Sequence, residues 1–345
     1  MNDLNLYDFD YLKLQKNYKE KFKQSIFKEI IGHKKRVYTL DWMTQINYNF
    51  LITGSADTSI KLWNIEYLNN PLLEIKNNDS ITHLVSNPKN AFEFLSTSSD
   101  KYIKFYDIRT NLNQNNHTNN NSNINNSNIH SIHSEKSKST IKNIIFNNQG
   151  TQFVFCNRDS SILNVYDLLT FKQIKQIDIK TQINDFKFDK TDSFLYIADD
   201  NGIIHKISAK DFDEKNDKKI DGHFFSINCL EISNSNKFLI SGGIDSLIVQ
   251  YDLNEDLSMG ILKRGDQSIK SLNFNCDDRF IASIYEGNNV DVFSTELQFP
   301  IYSIFTDCNE YAIKWNSKKN IFAYSGDDKN RNGNEGNVHL VFVSL

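Results

Sequence analysis

Apolar and polar residues alternate in short runs along most of the chain, which is the pattern of β-strands that bury one face. The clearest unit contains three such runs, Val37 to Trp42, Phe50 to Ser55 and Ser59 to Asn64, separated by polar turns. These runs predict three antiparallel strands, and Leu72 to Ile75 would add a fourth on the outside. The pattern then starts again at Ser80, so the unit is repeated.

The ends of the third strands mark the repeats. An aromatic residue followed by Asp or Asn, or a weaker apolar equivalent, closes each unit. These endings lie at Trp63, Tyr106, Tyr166, Ile207, Tyr251, Val292-Phe293 and Leu340-Val341. They define units of about 40 residues, the length of a four-stranded blade. The sequence therefore predicts an all-β protein in which residues 25–345 form a single seven-bladed β-propeller.

The last unit ends with its third strand, Val338 to Phe342. The segment from Ser25 to Ile31 precedes the first unit and alternates in the manner of a strand. We expect this N-terminal strand to complete the last blade, because an unpaired sheet edge would otherwise remain exposed.

Residues 1–24 precede the propeller as a basic extension. Tyr11, Leu14, Tyr18 and Phe22 recur at helical spacing, which predicts a helix with one aromatic face. One interpretation places this face on the propeller or on a partner and leaves the basic residues in solvent. The other is a weak, sequence-independent contact with RNA phosphates. The lysines available for that contact are Lys13, Lys16, Lys19, Lys21 and Lys23.

A polar segment interrupts the second unit. Eleven of the nineteen residues from Asn111 to Ile129 are asparagine, and none is acidic, lysine or arginine. Such a composition cannot bury enough apolar surface to order itself. We expect residues 111–137 to form a disordered surface insertion where the outer strand of the second blade and its following loop would lie.

Composition and charge exclude several classes of function. The formal net charge of −4, from 43 acidic and 39 basic residues, excludes a globally basic nucleic-acid binder. No apolar run reaches the ~20 residues needed to span a bilayer, and the first residues lack the pattern of a secretion signal. We therefore expect an intracellular protein without membrane contact. The widely spaced cysteines, Cys156, Cys229, Cys276 and Cys308, are interpreted as buried free thiols rather than a zinc site.

Carboxylates recur once per unit and do not gather in one place. Asp57, Asp100, Asp159 and Asp245 precede third strands, where a short acceptor side chain holds a tight turn. An enzyme would concentrate such groups in one site, and no nucleophile with a base and an acid is evident. We therefore expect no catalysis, no cofactor, no metal and no small-molecule substrate.

A Gly-His pair precedes the inner strand of two units, and the first is Gly32-His33. His33 can form a buried hydrogen-bonded tetrad with Asp57, Trp63 and a hydroxyl group. That hydroxyl is either Thr53 or Ser55, and we assign it to Ser55. A polar network of this kind would hold the geometry of the first blade.

These residues resemble the WD-repeat family. Only Trp63 supplies the tryptophan of that family, and Tyr106, Tyr166, Tyr251 and Phe293 stand in its place in other units. Loss of the indole N–H weakens the network in those blades, while the aromatic ring still packs between sheets.

Within the WD-repeat family, three segments resemble the propeller subunits of the THO complex. They are the basic approach to the first blade, Lys21 to Trp42, the ending Tyr106-Asp107-Ile108-Arg109, and the final blade from Phe322 to Leu340. The resemblance implies a non-catalytic nuclear scaffold of the transcription-export (TREX) assembly, supporting mRNA packaging and nuclear mRNA export. It also implies the other THO subunits as partners, above all a large helical one.

Two groups of residues are candidates for partner binding. Closure of the ring would bring together the loops that contain Lys34, Lys35, Arg36, Asp327, Asp328 and Lys329. Their charges would either face the partner or pair with each other. Asp107 and Arg109 belong to a motif through which WD-repeat substrate receptors dock onto cullin-type ubiquitin ligases, although they could also pair locally. A ligase receptor and a splicing or chromatin scaffold are therefore the alternative functions.

Overall fold

The computed structural model describes residues 3–43, 49–109, 133–213, 217–263, 265–297, 299–306, 309–327 and 336–344. Within these ranges the elements are α1 (Asp3–Lys23), β1 (Ile26–Ile30), β2 (Val37–Trp42), β3 (Phe50–Ser55), β4 (Ser59–Asn64), β5 (Leu73–Lys76), β6 (Ile81–Ser86), β7 (Glu93–Ser98), β8 (Tyr102–Asp107), β9 (His133–Lys136), β10 (Ile141–Phe146), β11 (Gln152–Asn157), β12 (Ile162–Asp167), β13 (Gln173–Asp178), β14 (Ile183–Phe188), β15 (Phe194–Asp199), β16 (Ile203–Ser208), β17 (Lys218–Asp221), β18 (Ile227–Ile232), β19 (Phe238–Gly243), β20 (Leu247–Asp252), β21 (Leu257–Lys263), β22 (Ile269–Phe274), β23 (Phe280–Tyr285), β24 (Asn289–Ser294), β25 (Pro300–Phe305), β26 (Glu310–Trp315), β27 (Ile321–Gly326) and β28 (Val338–Phe342).

The strands form seven antiparallel four-stranded sheets in the described part of the chain. Six sheets use consecutive strands, from β2-β3-β4-β5 to β22-β23-β24-β25, and the seventh has the order β26-β27-β28-β1. Each inner strand contacts the inner strands of its two neighbours, and β26 contacts β2, so the ring is closed. The predicted all-β, seven-bladed propeller is therefore confirmed.

The N-terminal strand lies at the outer edge of the seventh sheet, where counting the strands had placed it. β1 runs antiparallel to β28, from the pair Ile26 and Phe342 to the pair Ile30 and Val338. Of the five β1 residues, only Ile30 is buried. The contribution of β1 is thus mainly a ladder of backbone hydrogen bonds and one apolar anchor.

Apolar clusters fill the spaces between neighbouring sheets. The aromatic residues that end third strands provide much of this packing, since Trp63, Tyr106, Tyr251 and Phe293 are almost completely buried. Tyr166 is only half-buried and stacks on Phe153 with a centroid distance of 5.4 Å. The aromatic residues that replace the family's tryptophan therefore still fill space in the apolar clusters.

A β-bulge recurs at the same place in every sheet. The pairing of each inner strand with the second strand shifts register after the first residue of the inner strand. A bulge redirects a side chain and strengthens the local twist. The residues at this position are Tyr38, Thr82, Lys142, Asn184, Asn228, Lys270 and Tyr311.

The helix α1 packs on the propeller, as one interpretation of its aromatic face predicted. Tyr18 and Phe22 make edge-to-face contacts with Phe280, at centroid distances of 5.0 and 5.2 Å, and Phe22 stacks on Tyr302 at 5.7 Å. Leu14 is partly buried against the same cluster. Lys13, Lys16, Lys19 and Lys23 are exposed and Lys21 is half-buried, while the side chain of Tyr11 lies outside the described residues.

In the second blade the predicted insertion ends before residue 137. Residues 110–132 lie outside the described residues, but His133–Lys136 form β9, the outer strand that pairs with β8. The insertion thus precedes the outer strand and does not extend to residue 137. Polar residues suffice at this position, because an edge strand is held by the backbone ladder of its neighbour.

The cysteines that the structure describes are free thiols. Cys156 and Cys229 are buried free thiols, and burial raises the pKa of Cys156 to about 12. Cys276 is half-buried, not buried as predicted, and Cys308 lies outside the described residues.

None of the described helical residues forms a segment long and apolar enough to cross a membrane.

Replacement of Ile30 by Ala should destabilise the whole propeller by about 2–5 kcal/mol, because it leaves a cavity under the closing strand. Ile26 lies on the same strand but is exposed, so Ile26→Ala should change the free energy of unfolding by no more than about 0.5 kcal/mol. Urea denaturation of both variants tests the closure. Equal costs for the two substitutions would show that β1 does not pack in this register.

Candidate functional site

The polar tetrad of the first blade lies at one end of its sheet. His33 Nδ1 lies 3.0 Å from Asp57 Oδ2, and His33 Nε2 lies 2.8 Å from Thr53 Oγ1. Trp63 Nε1 donates to the same Thr53 oxygen at 2.9 Å. These contacts connect the loop before β2, the strand β3 with the turn that follows it, and the last part of β4. The network therefore holds the three elements in one arrangement.

The hydroxyl of this tetrad belongs to Thr53, so the assignment to Ser55 is wrong. Both residues point to the same side of β3, but Thr53 pairs with Lys61 and so lies nearer to Trp63. Ser55 donates to the carbonyl of Lys35 at 2.9 Å and accepts the Asp57 N–H at 3.0 Å. Its role is to support the turn.

Charge in the tetrad is shielded from water. Burial is the main influence on His33 and lowers its pKa, so the imidazole is kept neutral despite the adjacent carboxylate. Burial would raise the pKa of Asp57, but hydrogen bonds from His33, Ser59 and the Lys34 amide outweigh it and lower the pKa well below the usual range. Asp57 is thus ionised, and its carboxylate accepts hydrogen bonds that hold the turn after β3.

The fifth blade repeats the arrangement with tyrosine in place of tryptophan. His223 Nδ1 lies 2.9 Å from Asp245, and His223 Nε2 lies 2.6 Å from the Ser241 hydroxyl. Ser241 donates to the Tyr251 hydroxyl at 3.4 Å, a longer contact than its counterpart in the first blade. A Cβ on Gly222 would lie 1.6 Å from that hydroxyl, so this position requires glycine.

The predicted charged loops come together at the junction of the seventh and first blades. Arg36 Nε lies 3.6 Å from Asp327 Oδ2, and Tyr311 donates to the same carboxylate at 3.2 Å. The Asp327 side chain is only 15% exposed. The charges therefore pair with each other, and Lys34 and Lys35 remain exposed beside them. Asp328 and Lys329 lie outside the described residues.

The second predicted group is also paired locally. Arg109 Nε donates to both carboxylate oxygens of Asp107, at 3.0 and 2.8 Å. Burial would raise the pKa of Asp107, but the contacts with Arg109 outweigh it and lower the pKa. These residues lie at the turn after the third strand, which is the opposite end of the sheets from Arg36.

A cavity of about 340 Å³ occupies the central channel, and the inner strands line it. In the channel Glu231 lies 3.3 Å from Lys187 and 3.7 Å from Lys314. Burial opposes ionisation of Glu231, but these lysines prevail and lower its pKa to about 2. This carboxylate thus joins the fourth, fifth and seventh blades by attraction between charges.

Hydrogen bonds between inner strands also connect the blades around the channel. Asp41 accepts the Ser86 N–H, Asp185 accepts the Leu230 N–H and Asn273 accepts the Trp315 N–H. Trp42 closes the ring by donating to the carbonyl of Lys314 at 3.0 Å. Each bond spans two neighbouring sheets, so the polar residues of the channel hold the blades in register.

Sequence reasoning missed an exposed aromatic surface on the fifth blade. Phe224 and Phe225 follow His223 and are 88% and 62% exposed, and Ile244 in the adjacent turn is 51% exposed. The signal in the sequence was a pair of phenylalanines in a loop between strands, outside any alternating run. Large apolar side chains that stay exposed together on a rigid loop are typical of interaction surfaces.

Among the described residues, no group of three or more His, Cys, Asp or Glu side chains is arranged to hold a metal ion.

The main features of the site are a polar channel, the hydrogen-bonded tetrads that hold single blades, and exposed loops. They define the class of protein as a WD-repeat β-propeller. The family model for the WD domain, G-beta repeat, matches residues 24–64 and 215–252, which include both Gly-His blades.

The chain is a WD-repeat protein that resembles THO complex subunit 3. It is 25% identical to THO complex subunit 3 of Arabidopsis thaliana over 313 residues, which cover 90% of this chain and 92% of that protein. It is also 23% identical over 337 residues to WD repeat-containing protein AAC3 of Dictyostelium discoideum, covering 90% of this chain and 66% of that protein.

Solved structures support the fold. The β-propeller domain of Cps50 (Swd1) from Myceliophteria thermophila superposes with a TM-score of 0.74, covering 92% of this chain and all of that domain, at 11% sequence identity. This likeness concerns the architecture alone, because many unrelated functions use the same propeller.

The Thr53 hydroxyl and the Trp63 N–H should be energetically coupled. Thr53→Val keeps the shape of the side chain but leaves the partners of the hydroxyl unsatisfied, which should cost about 1–3 kcal/mol. Trp63→Phe removes the N–H and part of the ring. Urea denaturation of both single variants and the double variant should give a combined cost at least about 0.5 kcal/mol below the sum. Additive costs would contradict the bond.

His83, which lines the channel, should make stability depend on pH. Burial, with a smaller effect from Arg158, lowers its pKa to about 4, whereas the unfolded chain has an ordinary value of about 6.5. Between these values the unfolded chain binds more protons, so the contribution of His83 to stability is lost as pH falls from 6.5 to 4. The slope should approach about 1.4 kcal/mol per pH unit.

Denaturation of the wild type and His83→Gln across this range isolates the effect, because the variant should lose less stability on acidification. His205 serves as a contrast: hydrogen bonds to Asp199 and Asp217 outweigh burial and raise its pKa. The contribution of His205 to stability is present below the unfolded pKa and is lost as pH rises. His205→Gln should therefore change the loss of stability on raising the pH and not the loss on acidification. Identical acid slopes for the wild type and His83→Gln would contradict the role of His83.

Proposed function

We propose that this protein is a non-catalytic scaffold subunit of a THO-type complex and that it supports mRNA packaging and export in the nucleus. The observation that carries the proposal is the similarity to THO complex subunit 3, which extends over 90% of this chain and 92% of the relative. Similarity of that extent covers most of the propeller and is not confined to the repeat motifs that many propellers share.

The arrangement of polar groups supports a scaffold. Several carboxylates are engaged in structure: Asp57 and Asp245 bind the histidines of their blades, and Glu231 binds lysines across the channel. Groups committed to such contacts are not poised for proton transfer to a substrate. The protein therefore acts through contacts with other macromolecules.

The proposed partners are the other THO subunits, in particular a large helical one. Lys34 and Lys35 remain exposed beside the paired Arg36 and Asp327 and are available to such a partner. The exposed lysines of α1 would give at most a weak attraction to RNA, because point charges on a short helix are screened by salt and read no sequence.

The alternative of a ubiquitin-ligase receptor rested on Asp107 and Arg109. Arg109 makes two hydrogen bonds to Asp107 and lies 3.7 Å from Glu93, so its guanidinium already has acidic partners within its own blade. This arrangement favours the local role of the motif.

Affinity purification of the tagged full chain from nuclear extract should recover the other THO subunits, identified by mass spectrometry. Depletion of the protein should also retain polyadenylated RNA in the nucleus, because export depends on the assembled complex. An unrelated WD-repeat protein with the same tag provides the control. Recovery of a cullin and its adaptor without THO subunits would contradict the proposal.

A further inference from the structure

The upper face of the propeller is the end that has the loops from each outer strand to the next inner strand, together with the turns after each second strand. On the fifth blade this face presents the exposed cluster Phe224, Phe225 and Ile244, which we call the aromatic cluster. None of the three belongs to the inter-blade cores on either side of this sheet. Their exposure brings no benefit to folding, because apolar surface in water is unfavourable.

The loop under the aromatic cluster is held rigidly. The ring of His223 is bound on both nitrogens, and Phe224 N–H donates to Asp245 at 3.3 Å. Gly202, with a φ of +83°, packs below, where a Cβ would lie 2.4 Å from the carbonyl oxygen of His223 and 2.7 Å from that of Phe225. The backbone that carries the aromatic side chains is thus held in a fixed position, and the loop would lose little freedom on binding a partner.

Hydrogen bonds connect the aromatic cluster to the mouth of the channel. Ser226, next to Phe225, accepts from Asn184 at 2.6 Å, and Asn184 accepts from Lys142 Nζ at 2.5 Å. On the other side, Asn228 donates to the carbonyl of Ile269 at 2.8 Å, and Lys270 follows Ile269. The aromatic cluster therefore lies between two lysines of the channel mouth, both at bulge positions of inner strands.

These two lysines differ from those deeper in the channel. Lys187 and Lys314 share the carboxylate of Glu231, whereas neither Lys142 nor Lys270 makes an ion pair with any described residue. Burial of the half-buried Lys142 lowers its pKa, and the opposing attraction of Asp159, Asp200 and Asp185 is too weak to offset that effect. An acidic group placed beside Lys142 or Lys270 would therefore gain an ion pair that neither lysine makes within the described residues.

We propose that the aromatic cluster and the mouth of the channel form a docking site for an acidic, apolar segment of a partner protein. Apolar side chains of that segment pack on Phe224, Phe225 and Ile244, and an Asp or Glu side chain reaches into the channel mouth to pair with Lys142 or Lys270. The charge of the mouth selects against basic segments. The inference depends on the proposed function only for the identity of the partner.

A displayed library of random peptides, selected on the full chain, tests the chemistry of the occupant without assuming the partner. The selected peptides should combine apolar residues with Asp or Glu. Phe224→Ala/Phe225→Ala should weaken their binding about tenfold or more, and Lys142→Gln/Lys270→Gln should weaken it about threefold or more and reduce its salt dependence. All the replaced side chains are exposed or half-buried, and thermal denaturation checks that the variants fold.

Matched controls exist on the same molecule. Leu169→Ala replaces an apolar side chain that is 90% exposed at the opposite end of the third sheet, and Lys175→Gln replaces an exposed lysine on β13. Neither should change peptide binding. Enrichment of basic peptides, absence of enrichment, or equal binding by folded aromatic variants would overturn the docking site.

The same variants, purified with the THO subunits, relate the site to the complex. If the wild-type chain does not recover those subunits, the proposed function fails, while the peptide selection still decides the docking site. If the wild type recovers them and the peptides bind as expected, loss of recovery by Phe224→Ala/Phe225→Ala but not by Leu169→Ala identifies this site as the THO contact.

Discussion

The pairing of β1 with β28 is the constraint on which the rest of the structure depends. Seven sheets form a closed ring only if each has two neighbours, and the seventh sheet needs the N-terminal strand as its outer edge. The same pairing brings the loop before β2 beside the turn after β27, so that Arg36 meets Asp327. It also directs α1 onto the sixth sheet, where Phe22 is buried against Phe280. Contacts between residues almost 300 positions apart thus follow from one backbone ladder, and long-range pairing of this kind slows folding.

Polar residues hold this propeller at two radii. Near the axis, Asp41, Asp185 and Asn273 bind backbone N–H groups of the next blade, and Glu231 joins lysines across the channel. Further out, the networks of His33 and His223 connect strands within a blade. The first kind sets the relation between blades and the second sets the shape of each blade. Apolar packing between sheets has little directionality, so hydrogen bonds are needed to define one register.

The upper face combines rigid support with surface that the fold itself does not use. Six of the seven residues at the bulge positions of the inner strands line the channel, and their identities differ from blade to blade. Repetition of the backbone with variation of the side chains creates an asymmetric site on a nearly symmetric frame. Lys142, Lys270 and the aromatic cluster are the parts of this asymmetry that best fit a partner of defined chemistry.

The sequence by itself determined the number of blades, the position of most strands and the closing role of β1, because alternation over six residues and a regular spacing are local signals. It also indicated that Asp57 would be a turn residue of the first blade. Only the tertiary structure decided that Thr53 rather than Ser55 receives the Trp63 N–H, since both lie on the same side of β3 and the choice depends on the register with β4. The tertiary structure likewise decided that Arg36 pairs with Asp327 and that Phe224 and Phe225 remain in solvent. Those outcomes depend on distances between segments far apart in the chain, and hydrophobic periodicity contains no information about them.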